Sequence, residues 1–317
     1  MDYEERLLLP LTANFIFTNI VPGKVAHTQY SATLRDKTMA DLMMIGTGPG
    51  FCSAALAPDV WKSQGYVSPH STLQVPFQKA HNTDLSLFQY MNTVAPVMGS
   101  RFHSAMEGWG KFTQELTLDT FPFNEVLKNE KIVFVDVGGG QGHMMKKVLA
   151  RWPGLKGRIV VQDQVSTLED MGGKTVEGIE FMGSDFFEGQ PVKGMFCHPT
   201  NRLSRERKLT DEGADFYLLR RILHDWPDND CVKILNKIAE VMTPGSKILV
   251  ADFVMPEIDA PRYRSASDIM MAVLIGGAER TERQWKRLLA RTEKKLILER
   301  IWAHPLNKEY MLQISFA

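Results

Sequence analysis

The run Arg220-Arg221-Ile222-Leu223-His224-Asp225-Trp226 sets an imidazole beside a carboxylate at the end of an apolar stretch. Two more acids follow: Asp252, at the end of the apolar run 247–253, and Glu279, in Gly276-Gly277-Ala278-Glu279-Arg280-Thr281. Histidine is the side chain whose ordinary pKa of ~6.5 lies near working pH, so it can take a proton from a hydroxyl. A phenol holds its proton to ~10, so proton removal must accompany attack on an electrophile, or a carboxylate must raise the imidazole's basicity. His224, Glu279 and Asp252 are therefore the candidate catalytic residues. A lone histidine also suits a structural place, and the charge of Glu279 suits the amino end of a following helix. The position of His224 opposite a glycine loop favours chemistry.

That loop is Asp136-Val137-Gly138-Gly139-Gly140-Gln141-Gly142, which ends one apolar run and opens a helical pattern. Glycines let the backbone turn sharply and let a ligand come close. A dinucleotide fingerprint counted from Gly138 needs glycine where His143 stands, so that reading fits poorly. Gly138, Gly140 and Gly142 behind Asp136 suit a cofactor with an amino-acid tail and no pyrophosphate, which favours S-adenosylmethionine over a nicotinamide. Asp163, about twenty residues on, suits the ribose hydroxyls. Asp185 and Phe186 offer a polar group and an apolar face for adenine, and a sulfonium favours aromatic faces, for which Trp226 is the candidate. Each acid alone more often merely caps a turn or the next helix; three in order behind such a loop favour the ligand reading.

Elements able to position these groups are legible in the apolar pattern. Strands are expected at 132–137, 158–162, 179–182, 215–219, 247–253, 295–302 and 310–316, with helices at 142–151, 228–242 and 281–291. This alternation predicts an α/β, Rossmann-like parallel sheet covered by helices. Residues 1–115 instead show helical periodicity broken by loop clusters at 46–50 and 64–71. Within 95–116, Val97, Met98, Phe102, Met106, Trp109 and Phe112 recur at three-to-four spacing, predicting an amphipathic helix that joins two domains, 1–115 and 116–317. His81, Phe88, Met91, Met98, Phe102, Met106 and Met271 are candidate pocket residues for a flat apolar ligand, although plain core would use the same types.

Composition narrows the classes. Among 317 residues, Lys+Arg and Asp+Glu both number 37, with no long block of one sign, which argues against nucleic acid as a partner. Cys52, Cys197 and Cys231 lie far apart, and the carboxylates have no metal-ligand spacing, so neither a disulfide framework nor a metal is expected. The acidic opening Met1 to Arg6 lacks the order of a signal peptide, and no apolar run approaches a membrane span, so a cytoplasmic place is expected.

With these residues in view, 133–285 resembles the class I S-adenosylmethionine O-methyltransferases of the plant and fungal small-molecule type. The telling segments are 135–143 (VDVGGGQGH), 218–228 (LLRRILHDWPD) and 276–282 (GGAERTE). The resemblance implies that His224 is the general base, that Glu279 orients it, and that Gly138, Asp163, Asp185, Phe186 and Arg220 belong to the cofactor site. The family's second acid is often Glu and is here Asp252. It further implies a homodimer acting on a small-molecule hydroxyl.

Two features depart from that pattern. Arg6 to Leu11 and Phe15 to His27 resemble the last helix and wing of the family's winged-helix-like dimerisation domain, so the chain is expected to begin inside it and to dimerise more weakly. Residues 195–213 are polar, charged and unlike their surroundings; they read as an inserted surface loop at the sheet edge away from the cofactor. Codons for 194–196 can spell a GTATGT donor and those for 209–210 a CTGAC branch sequence, consistent with a translated intron. Alternative functions are a fold relative that uses the cofactor's charge to promote dehydration or pericyclic rearrangement, and a non-catalytic paralogue.

Overall fold

The computed structural model describes residues 3–169, 171–192, 214–304 and 309–317; the expected insertion at 195–213 lies outside them. A two-stranded hairpin, β1 (Phe17–Val21) and β2 (Lys24–His27), follows the helix Tyr3–Ala13. The main sheet contains β3 (Val133–Val137), β4 (Arg158–Asp163), β5 (Ile179–Gly183), β6 (Phe216–Arg220), β7 (Lys247–Ala251), β8 (Leu296–Ala303) and β9 (Tyr310–Phe316). Its order is β5-β4-β3-β6-β7-β9-β8. β3 to β7 run parallel, and β9 lies antiparallel between β7 and β8. From β3 the chain winds outward to β5, then returns to lay β6 on the other side of β3. Such a reversal opens a crevice at the carboxyl ends of the two central strands, where open α/β sheets bind ligands. β3 carries the glycine loop there, and β6 carries His224.

The continuous apolar runs of the central strands have a packing cause, because helices cover both sheet faces. Val135, Tyr217, Leu219, Ile248 and Val250 face one core with Ile234, Leu235, Trp285 and Leu288. Phe134, Ile159, Leu218 and Leu249 face the other, against Met144, Met145 and Val148 of the helix His143–Arg151. A third apolar cluster joins the helical N-terminal region to the helix Arg262–Leu274: Phe77, Leu87 and Met91 are buried there with Val273, Leu274 and Ile275.

The expected amphipathic helix is Pro96–Thr120 and runs unbroken across residues 115 and 116. Ion pairs tie its far end to the helix His143–Arg151: Lys147 to Glu115 at 2.7 Å and Arg151 to Asp119 at 2.6 Å. One expectation is corrected. Residues 46–50 are no loop but a π-helical turn between the helices Lys37–Ile45 and Phe51–Ser63, with helical dihedrals at Gly46 and Gly50. The wider turn accommodates the missing N–H of Pro49, and the lack of a side chain at Gly50 lets Met270 approach; a Cβ there would lie 1.9 Å from Met270 Cε. Packing outweighs the breaker propensities of glycine and proline.

Candidate active site

β6 ends at Arg220, and Arg221 adopts a left-handed φ of 58° before the short turn Leu223–Asp225 carries His224 into the crevice. His224 Nδ1 lies 3.3 Å from Glu279 Oε1, and its Nε2 lies 3.4 Å from Asp225 Oδ1. The segment bearing Glu279 reaches it from the far side: the Ala278 N–H donates to the His224 carbonyl at 2.9 Å, and the Glu279 N–H donates to Asp268 Oδ1 at 2.8 Å. Gly277 must be glycine for this approach, since a Cβ would stand 2.0 Å from the His224 carbonyl oxygen.

Asp252, just past β7, is fully buried, and neither of its carboxylate oxygens has a hydrogen-bond partner among the described residues; Glu279 Oε2 is in the same state. Burial disfavours a charged imidazole at His224, but the charges of Asp225 and Asp252 and the bond to Glu279 outweigh it and push the pKa up to about 9. Burial raises Asp225 to about 6 against the pull of His224, and raises Asp252 as well. Glu279 goes the other way: burial opposes its ionisation, yet the bond and charge of His224, with Arg221 and Arg264 nearby, hold it below the ordinary range.

Two cations, the partly buried Arg221 and the buried Arg280, brace this acid cluster. Arg221 Nη2 donates to both oxygens of Glu309, at 3.0 and 2.8 Å, tying the end of β6 to the start of β9. Arg280 donates to Leu223, Trp226 and Asp228. The sequence reading assigned roles to neither arginine, to Glu309 nor to Asp225. Arg280 and Asp225 lay within the diagnostic segments; Glu309, 88 positions from Arg221, carries no local signal.

The glycine loop abuts the same turn. Gly138 has φ 71°, and a Cβ there would lie 2.5 Å from Ile222 Cδ1, while Gly140 faces open space at φ 59°. Asp136 is buried with Oδ2 unpartnered among the described residues, and burial pushes its pKa up to about 7 despite Arg220. Asp163 closes the loop by accepting from the Gly140 N–H at 2.8 Å and from the Gln164 N–H at 2.8 Å. Arg220 Nε donates to Thr117 Oγ1 at 3.3 Å, on the long helix. Asp185 Oδ1 accepts from the Phe187 N–H, and Phe186 and Phe187 meet Trp226 edge-on at 6.0 and 4.8 Å. A buried carboxylate with a free oxygen beside an open glycine fits the ammonium of an amino-acid tail, and the aromatic corner fits a ring and a sulfonium.

The apolar wall opposite comes from the N-terminal helices. Phe88 packs against Phe102 at 5.9 Å and reaches Trp226 at 6.4 Å. Met98, Phe102 and Met271 are partly buried around the cluster that buries Met91. His81 sits between Phe77 and Tyr90 with Nε2 buried and unpartnered among the described residues, and burial lowers its pKa. Met106 is exposed. Among the described residues no three His, Cys, Asp or Glu gather as a metal site, Cys52 and Cys231 are free thiols, and no helix is long and apolar enough to cross a membrane.

A seven-stranded Rossmann-like sheet with a glycine loop beside a histidine–carboxylate turn defines a class I methyltransferase. Comparison with known proteins agrees. The family model of the O-methyltransferase domain matches residues 64–194 and 206–293, more than half of the chain, and its break falls within the expected insertion. The O-methyltransferase xanE of Aspergillus fumigatus is 34% identical over 313 residues, 96% of this chain and 67% of that protein. OxaC, solved with S-adenosylhomocysteine and oxaline, superposes with a TM-score of 0.80 at 25% identity, covering 98% of this chain and 74% of that one. A structure described as a pericyclic reaction enzyme superposes at 0.78 and 27% identity, covering 98% and 76%. The chain belongs to the O-methyltransferase family, and its cofactor is S-adenosylmethionine.

Proposed function

We propose that this chain methylates a hydroxyl of a small aromatic or polyketide-like metabolite, with His224 as general base. The observation that carries the reading is His224 held between Glu279 and Asp225 on the turn just past the strand that pairs with the glycine-loop strand. Bound S-adenosylmethionine supplies an electrophilic methyl on a sulfonium. Glu279 on Nδ1 fixes the imidazole's orientation and raises its basicity, and Nε2, with Asp225 Oδ1 at 3.4 Å, is the nitrogen that takes the hydroxyl proton as the oxygen attacks, the acceptor hydroxyl replacing Asp225 there. Asp252 adds buried negative charge beside it. Asp136 takes the cofactor's ammonium, with the backbone of Gly138, Gly140 and Gly142 around the tail. Asp163 takes the ribose, Asp185 and Phe186 the adenine, Trp226 the sulfonium's aromatic face, and Arg220 balances Asp136. Holding nucleophile and methyl in line supplies much of the remaining acceleration.

The acceptor lies against His81, Met91, Met98, Phe102 and Met271, a wall that suits a flat, weakly polar molecule. Residues 1–115 act as a dimerisation and substrate-covering region and 116–317 as the cofactor-binding region of a cytoplasmic homodimer in secondary metabolism. Incubation with methyl-labelled cofactor and a panel of phenols, read by mass spectrometry, tests the reaction. Labelled product with equimolar S-adenosylhomocysteine is expected. The likeness to a pericyclic enzyme gives the other outcome a definite form: an acceptor isomerised or dehydrated with no label gained would sink the methyl-transfer reading.

A further inference from the structure

The turn that carries His224 is gripped from one side by residues 277–280. The buried guanidinium of Arg280 donates through Nη1 to the Leu223 carbonyl at 2.8 Å, through Nη2 to the Trp226 carbonyl at 2.9 Å and through Nε to Asp228 Oδ1 at 2.9 Å. The two carbonyls bracket His224 along the chain. Ala278 and Gly277 meet the His224 carbonyl between them, and Glu279 meets the ring itself. One short segment therefore holds the imidazole, the His224 carbonyl, the carbonyl just before it and that of Trp226 at the end of the turn.

We infer that Arg280 is a positioning residue for His224, a rigid fork that fixes the turn 223–226 so that the imidazole can meet Glu279 and the acceptor hydroxyl at once. The inference rests on the reading of His224 as the base. Arginine is suited to this place and lysine is not, because a planar guanidinium serves three acceptors in set directions while an ammonium on a flexible stem cannot span them. The fold has a second hold on the same oxygens: Cys231 Sγ lies 3.1 Å from the Leu223 carbonyl and 3.3 Å from that of Trp226. Loss of the fork thus loosens the turn while leaving one weak S–H donor to serve either carbonyl in turn.

The test is turnover and cofactor binding in Arg280 variants, with and without the base. Arg280→Lys should bind S-adenosylhomocysteine within about threefold of the parent and lower kcat by about 10²-fold with little change in acceptor KM. Placed on His224→Ala, the same substitution should cost less than about threefold, because no base remains to be positioned. Millimolar guanidinium should restore part of the turnover of Arg280→Gly, and methylammonium should not. If Arg280 variants fail to fold, Asp228→Ala carries the test: its half-exposed carboxylate steadies the same fork, and its loss should lower kcat by about 3–10-fold and move the pH profile. A folded Arg280→Lys enzyme with kcat within about twofold of the parent would overturn the inference, as would equal losses with and without His224. So would an Asp228→Ala enzyme with unchanged kcat and pH profile. Normal turnover of His224→Ala would instead overturn the base reading, so the two failures are told apart.

Discussion

An imidazole pushed up to about 9 is a cation at neutral pH and must lose its proton before it can accept one. The sign follows: kcat/KM should rise with pH until His224 is neutral. Bound cofactor adds a positive charge and lowers the limb below its cofactor-free position. Asp225→Asn removes the strongest of the surrounding charges that raise the pKa and should shift the limb to lower pH; an unmoved limb would detach Asp225 from the base. His224→Ala should cut kcat by the ~10²–10⁴ typical of lost general-base catalysis while cofactor affinity stays nearly intact, and Glu279→Gln should lose less, since the ring remains to carry the proton. Asp136 acts in the same direction, through binding rather than turnover. Its buried carboxyl, near about 7, pairs with an ammonium only when ionised, so S-adenosylhomocysteine affinity should climb between pH 6 and 8 with proton release on binding. Calorimetry in buffers of differing ionisation enthalpy reads that release, and Asp136→Asn should abolish it.

The elements divide the site into what spacing reveals and what packing alone supplies. Strand ends were legible because both sheet faces are covered, which makes β3, β4, β6 and β7 near-continuous apolar runs that stop where the crevice begins. The glycine loop, His224 and Glu279 were legible for the same reason: each follows or faces such an ending. The helix Arg262–Leu274 escaped notice because its apolar residues crowd its second half without a clean stripe, although it carries Arg264, Asp268 and Met271. The Arg221–Glu309 pair escaped because β9 is threaded antiparallel between β7 and β8, a pairing no local pattern announces. Two substitutions probe the element bearing Glu279. Gly277→Ala forces a methyl against the His224 backbone, so it should cost about 1–3 kcal/mol of stability and depress kcat as well. Thr281 caps the helix Glu282–Leu289 through a reciprocal box with Gln284, and Thr281→Ala should cost about 1 kcal/mol in thermal denaturation while leaving kcat near the parent's.

At the scale of the whole molecule the apolar surface is unevenly spread. The helix Tyr3–Ala13 buries none of its residues, and Leu7, Leu9, Phe15, Ile20 and Val21 on it, on the hairpin and between the two are exposed, whereas the central strands of the main sheet bury most of their large apolar side chains on both faces. Apolar exposure concentrated in one region of the chain is a common mark of an interface, and most soluble oligomers are symmetric homodimers. The proposed homodimer then predicts where association is sensitive. A buried leucine contributes roughly 1.5–3 kcal/mol, and each ~1.4 kcal/mol is a factor of ten in dissociation constant. Because the patch would meet its own copy, Leu9→Glu enters the interface twice and sets two carboxylates against apolar surface. Sedimentation equilibrium should therefore show a parent dimer and a variant whose dissociation constant is weaker by at least about 10²-fold. S-adenosylhomocysteine binding serves as the control, since Asp136, Asp163 and the glycine loop lie on β3 and β4 and their followers, apart from this helix. A parent that stays monomeric at high concentration would overturn the proposed homodimer, and a Leu9→Glu variant that dimerises as tightly as the parent would move the interface away from this region.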